Sequence, residues 1–197
     1  EMKTEKIHGM RKLKLGRRGH KVIENFLPKY QFGRIKRILE SPDIPYYYHS
    51  YMVQPFQQEK RPKDMMFVHS LVRNNKVVSN YVDAILFPIL DQLEVSLDEV
   101  LRSKINLTLR THAPHKSDFH IDQEGKSTPG AHLVSLYYIH NCNGYTEFKN
   151  GDKIDSKENR MLLFDGSRHH RALTHTNEET KVRIAINTNL VGNPSAK

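Results

Sequence analysis

The second half of the chain is a succession of short segments with the two-residue periodicity of β-strands, and this pattern restricts the fold more than any other feature. Between residues 100 and 110, apolar side chains alternate with polar ones at Leu101, Ile105, Leu107 and Leu109. Successive side chains of a strand point to opposite faces, so this alternation predicts a strand with one buried face. Further short extended runs are predicted at residues 118–122, 132–140, 146–148, 160–164 and 182–191.

The first half of the chain has a mixed pattern. Residues 30–39 and 77–93 carry apolar side chains at helical spacing, and Pro88 predicts a kink in the second helix. Extended runs are predicted at 46–53 and 65–72, and Asn74-Asn75 predicts a turn. Helices followed by many short strands favour an antiparallel sandwich or barrel with helices outside it. We therefore predict an α+β, mainly β fold: a double-stranded β-helix, or jelly roll, at about residues 100–191 with flanking N-terminal helices.

The positive charge of the chain is concentrated at its N-terminus. The formal net charge is +9, and residues 1–21 hold eight Lys or Arg residues against two Glu. We interpret residues 1–21 as a basic N-terminal arm and residues 22–197 as a single domain. The rest of the chain is only mildly basic, which argues against a nucleic-acid groove in its body.

Composition narrows the chemistry and the location. No run approaches the roughly 20 apolar residues of a membrane span, and no apolar signal segment follows the basic N-terminus, so we expect a soluble cytoplasmic protein without membrane contact. Cys142 is the single cysteine, which excludes an internal disulfide and a thiolate-rich zinc site. The twelve histidines make nitrogen ligation the more plausible metal chemistry.

One triplet has the spacing of a metal-binding pair. His120-Ile121-Asp122 is the only His-x-acid triplet in the chain, and it follows Phe119 in an extended run. On a strand, residues i and i+2 lie on the same face, about 7 Å apart. One imidazole and one carboxylate can therefore converge on a single ion, at bonds of about 2 Å each.

A third ligand is predicted about fifty residues downstream. His169 and His170 follow an apolar run and Gly166, but adjacent strand residues face opposite sides, so only one of them can join the site, and spacing alone does not choose between them. His175 is a more remote candidate. Two histidines and one carboxylate on one face leave three positions of an iron ion open.

Arg183 lies in the apolar run 182–191, where a guanidinium requires an anion. The anion is either a protein carboxylate, in a buried salt bridge, or a bound dicarboxylate. Asn106, Thr108 and Arg110 alternate along one face of a predicted neighbouring strand, and that face either lines a cavity or faces solvent.

These residues, in this order, resemble the 2-oxoglutarate- and iron(II)-dependent oxygenases, in particular the prolyl-4-hydroxylase-like group and its small phage-encoded members. The resemblance covers residues 100–191, and more loosely Phe26-Leu27 and residues 44–47. Its segments are Lys104-Ile105-Asn106-Leu107, Phe119-His120-Ile121-Asp122, Tyr137-Tyr138-Ile139, Asn143-Gly144-Tyr145-Thr146-Glu147-Phe148, Asn159-Arg160, Phe164-Asp165, His170 and Arg183-Ile184-Ala185-Ile186-Asn187.

The resemblance implies a site and a reaction. His120, Asp122 and His170 would bind Fe(II), and 2-oxoglutarate would chelate the metal while Arg183 holds its C5 carboxylate. The Tyr138 hydroxyl would share that carboxylate, and Tyr137 would point away. With O2 as cosubstrate the enzyme would hydroxylate an unactivated C–H bond, and the resemblance leaves ascorbate as a candidate reductant.

Several alternatives remain open from the sequence. A peptidyl proline or another peptide side chain is the first substrate class, by resemblance, and a nucleobase is the second, in keeping with the basic arm and with a phage-infected host cell. Outside enzymes, the alternatives are a non-catalytic jelly roll that binds a metal or ligand, and a basic nucleic-acid-binding module. The oligomeric state is left open.

Overall fold

A computed structural model describes residues 15–192 except residues 17, 54–64 and 124–127. The predicted basic arm therefore lies largely outside the described residues, although its last residues, His20 and Lys21, belong to the first strand. The helical elements are α1 (Lys29–Leu39), a π-helical turn (Val82–Leu86), α2 (Phe87–Leu93) and a 3-10 turn (Leu97–Glu99). The strands are β1 (His20–Ile23), β2 (Tyr47–His49), β3 (Met66–Arg73), β4 (Lys76–Val77), β5 (Val100–Leu109), β6 (His132–Tyr138), β7 (Tyr145–Phe148), β8 (Lys153–Asp155), β9 (Arg160–Asp165), β10 (His170–Ala172) and β11 (Val182–Val191).

The strands form two antiparallel sheets. The larger one has eight strands in the order β1-β9-β6-β11-β5-β3-β2, with β4 beside β3, and the smaller one has the order β10-β7-β8. A large and a small antiparallel sheet that share a core are the arrangement of a jelly roll. The predicted mainly β jelly roll with flanking helices is thereby confirmed.

The two faces of the large sheet bury separate cores. Tyr137 lies in the larger core, with Leu39 of α1 and Leu90 of α2. Its neighbour Tyr138 lies in a second core with Phe148 of the small sheet. Neighbouring strand residues thus face opposite sides, as strand geometry requires, and the second core places the small sheet over the centre of the large one.

The helices differ in part from the sequence pattern. The first predicted helix is confirmed as α1. The second is wrong at its start, because the chain first turns at Asn74 and Asn75, with φ of 50° and 60°, to pair β4 with β3. Asparagine tolerates this left-handed conformation, which a tight hairpin requires.

Among the described residues, no helix combines the length and apolar character needed to cross a bilayer.

Asn159 joins the segment before α1 to the sheets. The Leu27 amide and the Tyr137 hydroxyl donate to Asn159 Oδ1 at 2.9 and 2.6 Å, and Asn159 Nδ2 donates to the Leu27 carbonyl at 2.8 Å. The residue also has φ of 56°, which asparagine accepts better than most residues. One buried side chain therefore satisfies a backbone donor, a backbone acceptor and a hydroxyl.

Asn159→Ala is expected to lower the free energy of unfolding by about 3 kcal/mol, because it leaves buried polar groups of Leu27 and Tyr137 without partners. Chemical denaturation followed by circular dichroism measures this loss. Asn150→Ala, at an exposed turn, is the control and should change stability by less than about 0.5 kcal/mol. Equal stability of the two variants would show that the Asn159 contacts do not hold the segment.

The histidines make stability depend on pH. Burial lowers the pKa of five imidazoles below the ordinary value of 6.5: His20, His49, His140, His170 and His175. The unfolded chain takes up protons as the pH falls through about 6.5 while the folded chain does not, so stability present above that pH is lost below it. We expect the unfolding free energy of the metal-free protein to fall steadily between about pH 7 and pH 5.

His140 provides the variant for this experiment. Its Nε2 lies 2.9 Å from Glu40, and its Nδ1 accepts from the Ile184 amide at 3.3 Å, a bond that a doubly protonated ring would lose. His140→Gln should flatten the pH dependence, whereas His169→Gln, at an exposed position, should leave it unchanged. An unfolding free energy that stays constant or rises toward acid pH would contradict this account.

Candidate metal centre

Three of the side chains singled out in the sequence come together in one cavity of the jelly roll. His120, Asp122 and His170 each offer a ligand atom, and these atoms lie within 4.8 Å of one another. His120 Nε2 is 3.7 Å from Asp122 Oδ1, and His170 Nε2 is 3.9 Å from Asp122 Oδ2. The backbone contributes as well, because His120 and His170 pair as an antiparallel bridge, with N–H to O distances of 3.0 Å in both directions.

The tautomers of both histidines suit metal binding. His120 Nδ1 lies 3.1 Å from the Asp118 carbonyl, and His170 Nδ1 lies 3.1 Å from the Arg168 carbonyl. A carbonyl only accepts, so each Nδ1 carries the proton and each Nε2 keeps its lone pair. Such outer hydrogen bonds fix the orientation of ligating imidazoles in metal sites.

Asp122 is held from the opposite side by three donors. Asn187 and Asn189 of β11 donate their Nδ2 groups to Asp122 Oδ2 at 2.9 and 3.1 Å. Arg102 Nη2 lies 3.2 Å from Asp122 Oδ1. These contacts orient the carboxylate and stabilise its charge inside the protein.

The electrostatics keep both buried groups in their ligating forms. Burial alone would raise the pKa of Asp122, but the imidazoles of His120 and His170 and the Arg102 guanidinium outweigh it and hold that pKa well below its usual range. Burial lowers the pKa of His170 to about 4, despite the opposing charge of Asp122. At neutral pH the site therefore offers a carboxylate and a neutral His170, as metal binding requires.

Two arginines brace the segment that carries His170. The Arg168 guanidinium stacks over Phe148 at 3.9 Å, and that of Arg171 stacks over Phe119 at 4.1 Å. Arg171 also pairs with Glu147, with Nη2 and Oε2 2.7 Å apart. Phe119 precedes His120, so the stack of Arg171 ties the two histidine segments together.

The neighbouring histidines lie outside this group. His169 is exposed, whereas His170 is buried and faces the interior. His175 is fully buried, but its Nε2 lies 3.0 Å from the Thr180 carbonyl and it is not part of the cluster. Backbone pairing of His170 with His120, which spacing alone could not reveal, decides between the adjacent histidines.

Arg183 enters the same cavity from β11 and has no acidic partner among the described residues. It is 6% exposed, and its Nε has no hydrogen-bond partner. The guanidinium lies 5.4 Å from the Tyr138 ring, and the Gly144 backbone packs against its stem so closely that an added Cβ would lie 3.0 Å from Arg183 Cδ. The salt-bridge alternative raised by the sequence is therefore not observed in the described chain. A buried guanidinium without such a partner is costly unless an anion binds it.

The cavity lies between the two sheets and contains only part of the predicted lining. Asn106 and Thr108 line it, but Arg110 lies beyond the end of β5 and pairs with Glu178 at 2.8 Å. Tyr138 is fully buried behind the wall, and its hydroxyl lies 2.7 Å from that of Thr146, which does line the cavity. Thr146 is therefore the residue that presents a hydroxyl to the cavity, while the Tyr138 ring lies against the Arg183 guanidinium.

Sequence reasoning did not assign five further residues to the site. They are Lys104 and Thr146, which line the cavity, and Arg102, Asn187 and Asn189, which contact Asp122. One signal was available for Asn189: together with Asn187 it places two amides in an otherwise apolar strand, where buried polar groups need partners.

Comparisons with solved structures agree with this architecture. No protein-family model matches the sequence, and neither does any curated protein. An oxidoreductase of the 2OG-Fe(II) oxygenase family from Burkholderia pseudomallei aligns with a TM-score of 0.60 at 10% identity, over 90% of this chain and 89% of that one. A Trichoplax adhaerens prolyl hydroxylase, in complex with a hypoxia inducible factor peptide fragment, aligns with a TM-score of 0.59 at 15% identity, over 88% and 84%.

A third similar structure is that of an epimerase. The non-heme alpha-ketoglutarate-dependent epimerase SnoN from nogalamycin biosynthesis aligns with a TM-score of 0.57 at 10% identity, over 88% of this chain and 78% of that one. At such identities the likeness establishes the fold. The chain has the fold of the 2OG-Fe(II) oxygenases and carries a His-Asp-His triad. The comparisons lend no support to the phage-encoded subgroup or to ascorbate.

Proposed function

We propose that this protein is an Fe(II)- and 2-oxoglutarate-dependent dioxygenase that hydroxylates an unactivated C–H bond. One observation carries the proposal: a triad of two histidines and one carboxylate shares a cavity with a buried arginine that lacks an acidic partner among the described residues. That triad with open positions is the ligand set of non-haem Fe(II) oxygenases. The Arg183 guanidinium supplies a positive charge and paired hydrogen-bond donors for the second carboxylate of 2-oxoglutarate.

The residues of the cavity fit both iron(II) and 2-oxoglutarate. Nε2 of His120 and of His170 and the carboxylate of Asp122 would hold iron(II), and Arg183 would hold the distal carboxylate of 2-oxoglutarate, with the Thr146 hydroxyl nearby. Iron and 2-oxoglutarate held in this way would supply the activation of O2, with oxidation of 2-oxoglutarate to succinate and carbon dioxide. The chain itself orients the triad through Asn187 and the outer carbonyls and encloses the reacting groups.

For the substrate we propose a peptide side chain, with peptidyl proline as the first candidate. The support is the fold shared with prolyl hydroxylases, one of them in complex with a peptide fragment. The edge of the large sheet adds to it, because β2 pairs only with β3 among the described residues. The strand exposes Tyr47 and Tyr48, a few residues before Met52 and Val53, which line the cavity. An open edge and exposed aromatic rings suit an extended peptide.

Release of succinate tests this function. Protein with iron(II), 2-oxoglutarate and O2 is assayed by NMR against a proline-containing peptide library and, for comparison, single-stranded DNA. We expect succinate above the substrate-free background with peptides, together with a peptide product heavier by one oxygen atom. Stimulation by DNA alone would move the substrate to a nucleobase, and absence of succinate in every mixture would leave a jelly roll that binds ligands without turnover.

A further inference from the structure

Lys104 is a further cation in the cavity, besides Arg183 and Arg171, and neither the metal nor 2-oxoglutarate requires it. It projects from β5, where it is opposite Asn187 of β11, the residue that donates to Asp122. Its side chain lines the cavity together with the triad. No described residue forms a hydrogen bond or an ion pair with its ammonium group at bonding distance.

Asp122 does not serve as the partner of this lysine. Its two oxygens already accept from Asn187 and Asn189 and pair with Arg102, and the carboxylate faces both histidines. Burial lowers the pKa of Lys104 to about 8, with the Arg102 charge acting in the same direction and Asp122 opposing them. At neutral pH Lys104 is therefore a cation whose charge is incompletely compensated, and an anion beside it would stabilise it.

Lys104 and Arg183 lie at different levels along the paired strands β5 and β11. Asn187 and Arg183 are four residues apart on β11, which is about 13 Å along a strand. Lys104 pairs in register with Asn187, and Thr108 with Arg183. Arg183 therefore marks the end that would take the distal carboxylate of 2-oxoglutarate, while Lys104 lies level with the triad.

The charges of the cavity leave one cation for another ligand. Among the described lining residues the charged side chains are Asp122, Lys104, Arg171 and Arg183. Arg171 is paired with Glu147. The two carboxylates of 2-oxoglutarate would balance Arg183 and the metal bound to Asp122, so Lys104 remains without a counter-ion among the described lining residues.

Lys104 also lies near the segment that carries the exposed aromatic rings. Burial and then the charge of Lys104 lower the pKa of His49, the last residue of β2, so the ammonium group is within electrostatic reach of that strand. His49 makes an edge contact with the Tyr51 ring at 6.0 Å, and Met52 and Val53 follow in the cavity wall. Lys104 therefore shares the cavity with the triad and with the two residues that follow these rings in the chain.

From this arrangement we propose that Lys104 binds an anionic group of the substrate, a carboxylate or a phosphate, and that the substrates of this protein carry such a group close to the carbon that is oxidised. The proposal rests on the proposed function and adds a substrate class to it. A peptide would meet it through an acidic or phosphorylated side chain or a terminal carboxylate. Lys104 acts in binding, and its charge matters because an ammonium group recognises an anion as a point charge.

The test uses small anions on the loaded protein. Wild type, Lys104→Gln, Lys104→Arg and Lys76→Gln are prepared with manganese(II), which fits the same ligands, and saturating 2-oxoglutarate, and each is titrated with methyl phosphate and with acetate by calorimetry. Lys76 is exposed on β4, outside the cavity lining, so Lys76→Gln removes the same charge elsewhere on the protein. The affinity of each variant for 2-oxoglutarate is measured separately.

We expect saturable binding of at least one anion to wild type and to Lys76→Gln, retention in Lys104→Arg, and a loss of about tenfold or more in Lys104→Gln, as for loss of a hydrogen bond to a charged group. The tighter of the two anions identifies the group as phosphate or carboxylate. Absence of binding to wild type, unchanged binding in Lys104→Gln, or an equal loss of 2-oxoglutarate affinity in that variant would overturn the proposal. Failure of wild type to bind 2-oxoglutarate at all would instead overturn the oxygenase function.

Discussion

His170→Ala is expected to abolish iron(II) binding, whereas His169→Ala leaves it unchanged. His170 contributes one of three converging ligand atoms, while the exposed ring of His169 lies outside the cluster. Loss of an outer hydrogen-bond partner typically lowers metal affinity by about 10- to 100-fold, so loss of a ligand should cost more than about 100-fold. Competition against a chromophoric chelator under anaerobic conditions measures the affinity.

The pair of histidine variants separates ligation from general damage. Both substitutions remove the same side chain from adjacent positions, and far-ultraviolet circular dichroism of the metal-free proteins checks that each is folded. Asn187→Ala should give an intermediate loss, because it removes a donor from Asp122 and keeps all three ligands. If His169→Ala weakened iron binding as much as His170→Ala, the assignment of the third ligand would be refuted.

Arg183→Met is expected to weaken 2-oxoglutarate binding and to stabilise the protein when no 2-oxoglutarate is bound. Removing one partner of a buried charge pair costs about 2 to 5 kcal/mol, so the dissociation constant for 2-oxoglutarate should rise at least about 30-fold. In the free protein the guanidinium is buried without an acidic partner in the described chain, and replacing such a charge by an apolar side chain of similar volume is neutral or stabilising.

Calorimetry of the metal-loaded protein gives the dissociation constant, and thermal unfolding of the free protein gives the change in stability. Arg183→Lys is the matched control, since it keeps the charge and loses the bidentate geometry, and its affinity should fall between those of wild type and Arg183→Met. A destabilised Arg183→Met protein with normal 2-oxoglutarate affinity would mean that Arg183 has a structural partner.

The parts of the fold that repeat a local pattern could be predicted. Alternation in residues 101–109 predicted β5, and helical spacing predicted α1. The start of the second helix was wrong because apolar residues near 77 belong to a hairpin, whose turn depends on the left-handed conformation of Asn74 and Asn75. Apolar spacing does not report backbone conformation.

The site was predictable where its geometry is local and not where it depends on register. His120 and Asp122 are two residues apart, a spacing from which an extended backbone predicts that both side chains lie on one face. The structure brings them together although the strand expected at residues 118–122 forms only an isolated bridge, at His120. Lys104 faces Asn187 only because β5 pairs with β11 in one register, and 83 positions separate the two residues in the chain. The depth of Tyr138 behind Thr146 likewise depends on how the small sheet packs on the large one.

The central claim is that one cavity holds iron(II) through the triad and 2-oxoglutarate through both the metal and Arg183. Anaerobic titration of the wild-type protein with iron(II) and 2-oxoglutarate tests it directly, through the visible metal-to-ligand charge-transfer band of that chelate. The account predicts a band that saturates at one iron per chain, is absent from His120→Ala, and requires far more 2-oxoglutarate in Arg183→Met. A wild-type protein that gives no band would contradict the account.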